Sequence, residues 1–225
     1  MSTNKNVNDP EVKIEETLSN TEKILEKYRK AIVGVIVAFL VIAGGIFAYN
    51  EFIVKPKKQE AMSQIFKAEQ LFRADNFETA LNGDGNILGF NQIIADYGSK
   101  AGKAVYFYAG ICNLQLGKFD EAISMLSKYK TKDQILQARA TAAIGDAYAG
   151  LNDFNNAISY YKQAAKDSDD KVLTANYLFK AAIMYEEAGN PDEALKIYEE
   201  IKNKYPQTPE GFEIEKYISR IKVTK

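Results

Sequence analysis

The sequence contains no histidine and a single cysteine, Cys112, and these scarcities exclude several classes of chemistry. Without histidine there is neither a Ser-His-Asp triad nor a Cys-His pair, and the commonest metal ligand is missing. One cysteine permits neither an intrachain disulfide nor a cysteine metal cluster. Because the neighbours of Cys112 read as a packed helix, we expect it to be a small core residue rather than a reactive thiol.

Neither sign of charge is in excess, since 29 basic residues stand against 30 acidic ones. Nucleic-acid binding normally needs a basic face, so no nucleic-acid partner is predicted. Adjacent carboxylates such as Asp169 and Asp170 do not face each other on a helix and read as solvated helix ends. The Asp84-Gly85-Asn86 stretch lacks the acidic spacing and terminal glutamate of an EF-hand loop. We therefore predict a protein that is not an enzyme and that binds no cofactor and no metal.

One long uncharged run interrupts an otherwise polar sequence, over residues 31–49. As a helix its 19 residues would measure about 28 Å, close to the hydrocarbon core of a bilayer. Charged residues flank the run, and Tyr28 and Tyr49 stand where interfacial aromatic residues lie. A cleaved signal peptide is the main alternative, but its leading polar region would be unusually long and no Ala-x-Ala site follows. We predict an uncleaved transmembrane helix over residues 31–54.

The segment before this run divides into a polar tail, residues 1–10, expected to be disordered, and an amphipathic helical arm, residues 11–30. One interpretation of the arm is a short coiled coil that forms a weak homodimer. The other interpretation is a helical extension of the anchor whose weakly apolar face rests on lipid headgroups. The short length of the arm and a threonine among its apolar positions favour this second interpretation. Seam residues recur at spacings of four and three, at Ile14, Leu18, Thr21, Leu25 and Tyr28.

The remainder of the chain repeats itself around three aligned alanines. Ala122, Ala157 and Ala194 lie 35 and 37 residues apart. Each follows a turn that contains glycine or asparagine, residues that tolerate a left-handed backbone. Small residues at these alanines and upstream of them would let the two helices of a hairpin approach closely, and tyrosines would fill the space between hairpins. The upstream small residues are Gly110, Gly145 and Ala182, and the tyrosines are Tyr148, Tyr161, Tyr185 and Tyr198.

This pattern resembles the tetratricopeptide repeat, a helix hairpin of about 34 residues. Together with the apolar segment, the resemblance predicts an all-α fold with an N-terminal single transmembrane helix, a solenoid of about four tetratricopeptide-like (TPR-like) helix hairpins and a C-terminal capping helix. A degenerate first hairpin with an inserted loop is expected over residues 56–99. Three repeats are expected over residues 100–206, and the capping helix over residues 207–225.

Stacked hairpins of this family form a groove lined by the first helix of each pair, and such grooves bind extended peptides or helices. The alternative is that several of the aromatic residues at the groove positions pack inside the solenoid. The carboxylate clamp of some family members is not expected, because only Arg139 fits its pattern. By family analogy the candidate protein-binding residues are Phe72, Arg73, Phe107, Ile111, Leu114, Arg139, Asp146, Asn176, Phe179 and Ile183.

The layout of a short tail, one anchor and a small repeat domain resembles the ancillary subunit of the bacterial SecYEG translocon. The stretch Lys27-Tyr28-Arg29-Lys30, running into a glycine-rich span, adds to the resemblance. It implies a single-pass protein of the bacterial inner membrane with a cytoplasmic N-terminus and a periplasmic C-terminal domain. Its partners would be Sec translocon subunits, periplasmic chaperones or emerging client polypeptides. The alternative function is an adaptor in cell-envelope assembly or division machinery.

Overall fold

A computed structural model describes the backbone of residues 10–224 and the side chains of residues 27–223. All regular secondary structure within this range is helical, which confirms the all-α prediction. The chain divides into two compact units, Met1–Pro56 and Lys57–Lys225. The helices are α1 (Pro10–Tyr49), α2 (Lys55–Arg73), α3 (Phe77–Asn82), α4 (Phe90–Tyr97), α5 (Ala104–Gln115), α6 (Phe119–Lys128), α7 (Gln134–Gly150), α8 (Phe154–Asp167), α9 (Lys171–Glu187), α10 (Pro191–Lys204) and α11 (Pro209–Thr224).

The predicted membrane segment, residues 31–54, consists of the C-terminal part of helix α1 and a π-helical turn, Asn50–Val54, that follows it. Large apolar side chains of α1 are exposed, with Val35 and Phe39 each 70% exposed. None of the most apolar 18-residue stretch is buried within the protein. By length and composition this helix can cross a membrane, although a signal sequence near the N-terminus has the same properties.

Most of the predicted tail and coiled-coil seam lies outside the described residues. Residues 1–9 have no described structure, and the side chains before Lys27 are likewise outside the description. Only Tyr28 of the seam has a described side chain, and it is exposed. The homodimer through the arm therefore stays a prediction.

Small residues bring the helices of each hairpin together in the second unit. Ala122, Ala157 and Ala194 are completely buried. A Cβ atom added at Gly110 would lie 2.5 Å from Leu126 Cγ on the partner helix, too close for any real side chain. At Gly145 the same atom would lie 2.8 Å from the Tyr161 ring. The repeat pattern in the sequence thus corresponds to a steric requirement at the α5–α6 and α7–α8 contacts.

The four hairpin turns share one backbone feature. Asp75, Asn152, Gly117 and Gly189 all have positive φ angles, of 55°, 59°, 71° and 75° respectively. Each follows the first helix of its hairpin, where a left-handed residue ends the helix and reverses the chain. Because Asp75 occupies this position between α2 and α3, the first hairpin, which the sequence marks only weakly, turns in the same way as the three regular repeats.

An insertion divides the second helix of the first hairpin into α3 and α4. Asp84 organises the inserted loop, because its Oδ1 accepts hydrogen bonds from the backbone N–H groups of Asn86 and Ile87 at 2.9 and 2.8 Å. These bonds stabilise the carboxylate form and lower the pKa of Asp84 below its usual value. The side chain is exposed, so the loop is held by local bonds rather than by burial.

Helix α11 covers the end of the last hairpin. Ile214, Ile218 and Ile221 are buried in one apolar cluster with residues of α7–α10. Near the other end of this unit, Cys112 is completely buried in a separate cluster, as a packed core residue would be. Burial raises the pKa of the Cys112 thiol to about 12, which removes the thiolate at neutral pH.

Candidate protein-binding groove

The ten candidate residues lie on α2, α5, α7 and α9, the first helices of the four hairpins. Helix α5 contacts α7, and α9 contacts the capping helix α11. Lys180 of α9 also reaches Asp146 of α7. Two of the candidates, Arg73 and Arg139, are exposed, and the other eight are half-buried. Half-burial means that these side chains contribute both to the packing of the unit and to its surface.

The α5 candidates form an apolar wall. Phe107, Ile111 and Leu114 are half-buried and pack against a core cluster that includes Tyr129 and Ile144. The Phe107 ring lies 5.3 Å from the Tyr129 ring, measured between centroids. The core therefore holds one side of each residue in place. The remaining surface of each side chain is rigidly positioned and available to a ligand.

On α2, Phe72 and Arg73 have different roles. The Phe72 ring makes edge contacts with Phe77 and Tyr108, at centroid distances of 5.6 and 5.2 Å, so it joins α2 to α3 and α5. Arg73 is directed outward and forms an ion pair at 2.6 Å with Glu69, one turn earlier on the same helix. Of the two, the structure leaves Arg73 more accessible.

Asp146 connects three helices. Its Oδ1 accepts a hydrogen bond from the Tyr161 hydroxyl of α8 at 2.7 Å and another from Lys180 Nζ of α9, also at 2.7 Å. Burial, together with the adjacent carboxylate, raises the pKa of Tyr161 well above its usual range. Oδ1 of Asp146 is thus engaged in one contact within its hairpin and one with the next repeat. Arg139, two turns earlier on α7, is the exposed cation of this helix.

Two of the three α9 candidates contact α11. The Asn176 amide donates to Glu210 Oε1 at 2.8 Å, and the Phe179 ring makes an edge contact with Tyr217 at 4.8 Å between centroids. Ile183 is half-buried. A cavity of about 220 Å³ opens between the two helices, lined by Phe179, Pro209, Glu210, Glu213 and Tyr217.

Sequence reasoning missed Glu186, which repeats the Asp146 arrangement one hairpin later. Glu186 accepts a hydrogen bond from the Tyr198 hydroxyl at 2.6 Å and two from Arg220, at 2.7 and 2.8 Å. Burial and this carboxylate raise the pKa of Tyr198 well above its usual range. The available signal was spacing, because three polar contacts, one between α7 and α9 and two between α9 and the capping helix α11, each join residues 34 positions apart. These pairs are Asp146–Lys180, Asn176–Glu210 and Glu186–Arg220.

Family comparisons agree with this repeat length. Tetratricopeptide-repeat family models match residues 104–133 and 136–206, which contain the α5–α6, α7–α8 and α9–α10 hairpins. Residues 104–133 and 136–206 are therefore tetratricopeptide repeats. The solved crystal structure of MamA is similar in fold, with a TM-score of 0.51 and 18% sequence identity. That similarity covers 69% of this chain and 92% of the MamA chain. No curated relative matches the chain in sequence.

The tetratricopeptide-repeat assignment defines the function at a coarse level. Repeats of this family are protein–protein interaction scaffolds and are typically not catalytic. The two matches leave residues 56–99 uncovered, so only the geometry of α2–α4 and the turn at Asp75 relate this region to the repeats. Through these repeats the chain is a scaffold for interactions with other proteins.

Proposed function

We propose that this chain is a membrane-anchored, non-enzymatic scaffold that binds segments of other proteins along the first helices of its repeats. The observation that carries the proposal is the row of half-buried apolar side chains on α5 and α9. These half-buried side chains pack on one side against the hairpins and expose the rest of their surface; they are Phe107, Ile111, Phe179 and Ile183. An extended or helical segment can place apolar side chains there without any rearrangement of the core.

Anchoring is the second part of the proposal, and it is supported by α1. Eleven Ile, Val, Leu or Phe residues lie within residues 31–49, and apolar residues of this stretch such as Ile42 and Ile46 are more than half exposed. In water this apolar surface would promote aggregation, whereas in a bilayer it contacts apolar lipid tails. A small excess of basic residues before the stretch, five in residues 11–30 against four in residues 50–69, supports a cytoplasmic N-terminus and a periplasmic repeat unit.

The proposed location is the inner membrane of a bacterium, next to the Sec translocon. The support is the resemblance in layout to the ancillary subunit of SecYEG, combined with a repeat unit that suits extended polypeptides. Emerging client segments, periplasmic chaperones and translocon subunits are the partners we propose. A groove for extended segments fits polypeptides that have not yet folded, because their apolar side chains are still accessible.

Site-specific photo-crosslinking in cells tests this proposal. A benzophenone amino acid replaces Phe107 or Phe179 in the full chain, and Phe212, which is 75% exposed on α11, serves as the matched aromatic control. We expect discrete crosslinked products from positions 107 and 179 but not from position 212, with Sec subunits or secreted clients identified by mass spectrometry. Absent or equally diffuse products from all three positions would refute a defined groove. Discrete products that contain only envelope-assembly or division proteins would support the alternative adaptor function.

A further inference from the structure

The cavity between α9 and α11 has a composition that differs from the rest of the candidate groove. Aromatic rings of Phe179 and Tyr217 form part of its lining, and Glu210 and Glu213 add two carboxylates. Its volume of about 220 Å³ lies below the roughly 300–1,000 Å³ of pockets that enclose drug-sized ligands. The cavity therefore suits one side chain of a bound peptide better than a cofactor.

The carboxylates of this cavity are incompletely neutralised. Glu213 is exposed, and no ion pair joins it to a basic residue within residues 27–223. Glu210 Oε1 accepts only the Asn176 amide, and its Oε2 is buried without a hydrogen-bond partner in the same range. Two cations lie nearby, but Lys216 and Arg220 are placed over the Tyr217 ring, at 5.4 and 5.1 Å from its centroid.

Arg220 also binds a carboxylate outside the cavity, because its guanidinium makes two hydrogen bonds to Glu186. The contrast with the α5 end of the groove is clear, since Phe107, Ile111 and Leu114 form an apolar wall there. A ligand that lies along the first helices would therefore meet apolar side chains at α5 and a negatively charged, aromatic-lined cavity at α9–α11.

We propose that this cavity holds a lysine or arginine side chain of an extended peptide segment whose neighbouring residues are apolar. The aliphatic stem of such a side chain packs against Phe179 and Tyr217 while its cationic head reaches the carboxylate of Glu213. An acidic or C-terminal residue is disfavoured at the same place by Glu210 and Glu213. The inference rests on the proposed function, and it adds the chemistry of the partner.

The test uses the full chain in detergent micelles and a phage-displayed library of random peptides as the probe. We expect the selected peptides to combine a Lys or Arg with adjacent apolar residues. Replacing this basic residue by norleucine should weaken binding about tenfold, because a charge-assisted contact is lost. The double variant Glu210→Gln/Glu213→Gln should bind both peptides equally. Charge-matched control substitutions are Glu121→Gln and Glu187→Gln, two exposed residues outside the cavity, which should preserve the tenfold difference.

The outcomes separate this inference from the proposed function. If no peptide is selected, or if selected peptides bind equally well after Phe107→Ala, the groove itself is refuted. If peptides are selected without basic residues, or if the norleucine effect persists in the Glu210→Gln/Glu213→Gln variant, only the cationic cavity is refuted. Because Glu210 bonds Asn176, the exposed single variant Glu213→Gln provides a second measurement that does not depend on that contact. We expect it to reduce the norleucine effect, and an unchanged effect would again refute the cavity.

Discussion

Asp146 and Lys180 are 34 residues apart in the sequence, and their side chains meet at 2.7 Å. This separation is one repeat length of the tetratricopeptide family. Glu186 and Arg220 repeat the relationship with the same separation. In both cases a tyrosine of the second helix, Tyr161 or Tyr198, donates its hydroxyl to the same carboxylate. Each acid thus joins both helices of its own hairpin to the helix that follows, α9 for Asp146 and the capping helix α11 for Glu186.

The first prediction concerns the buried member of the Asp146 contact. Tyr161 is buried, with 3% of its surface exposed. Asp146→Ala leaves the Tyr161 hydroxyl without its acceptor and should lower the free energy of unfolding by about 1–3 kcal/mol. Lys180→Ala removes only a partly exposed ion pair and should cost about 0–1 kcal/mol. Urea unfolding of the full chain, followed by circular dichroism, measures both values.

Tyr161→Phe provides the control for this pair. In a double-mutant cycle, Asp146→Ala should cost less in the Tyr161→Phe background, because no hydroxyl is then left unsatisfied. Equal costs in the two backgrounds would contradict a stabilising hydrogen bond between these side chains. Equal losses for Asp146→Ala and Lys180→Ala would mean that the ion pair, and not the tyrosine, dominates.

A second prediction addresses the close helix approach at Gly110. Gly110→Ala places a Cβ atom against Leu126 and should destabilise the protein by about 1–3 kcal/mol. Leu126→Ala removes the atoms that clash, so the double variant should be more stable than the sum of the two single losses implies. Differential scanning calorimetry of the three variants checks this coupling. Simple additivity would show that the Gly110 contact with Leu126 is not the source of the strain.

A third prediction concerns alkaline pH. Burial and the neighbouring carboxylates raise the pKa of Tyr161 and of Tyr198, so the folded protein retains these protons above pH 10 while the unfolded chain releases them. The contribution to stability is complete below the unfolded pKa, near 10, and falls as the pH rises above it. The free energy of unfolding should therefore decrease as the pH rises above about 10.

The Tyr161→Phe/Tyr198→Phe variant isolates this effect from the titration of lysines. It is less stable overall, but its stability should fall less steeply over the same pH interval. Urea titrations at closely spaced pH values give the two slopes. An identical slope for the variant and the wild type would show that other groups account for the alkaline loss.

A fourth prediction tests the topology. If the N-terminus is cytoplasmic and the anchor is uncleaved, protease added to spheroplasts should digest the repeat unit and leave a protected fragment that contains residues 1–49. An intact cytoplasmic marker protein is the control for membrane integrity. Protection of residues 57–225 would reverse the proposed orientation, and a mature chain that starts after residue 49 would show that the segment is a cleaved signal.

The helical repeats were predictable from the sequence because their steric rules are local and recur. Buried Ala122 and the left-handed turn at Asn152 follow from residue type and position alone. The contacts between repeats were not predictable in this way, because Asp146 and Lys180 become a pair only after the helices are in register. Sequence analogy therefore placed Asp146 and Asn176 among the ligand-facing residues, whereas the structure shows both bonded to the following repeat or cap. A ligand-binding role for either one stays a prediction.

The interruption between α3 and α4 has a dynamic consequence. These helices have six and eight residues, and helices this short are marginal on their own. Their stability therefore depends on packing against α5 rather than on their own backbone hydrogen bonds. Amide hydrogens of this stretch should therefore exchange with solvent faster than those of the longer α7–α10 helices.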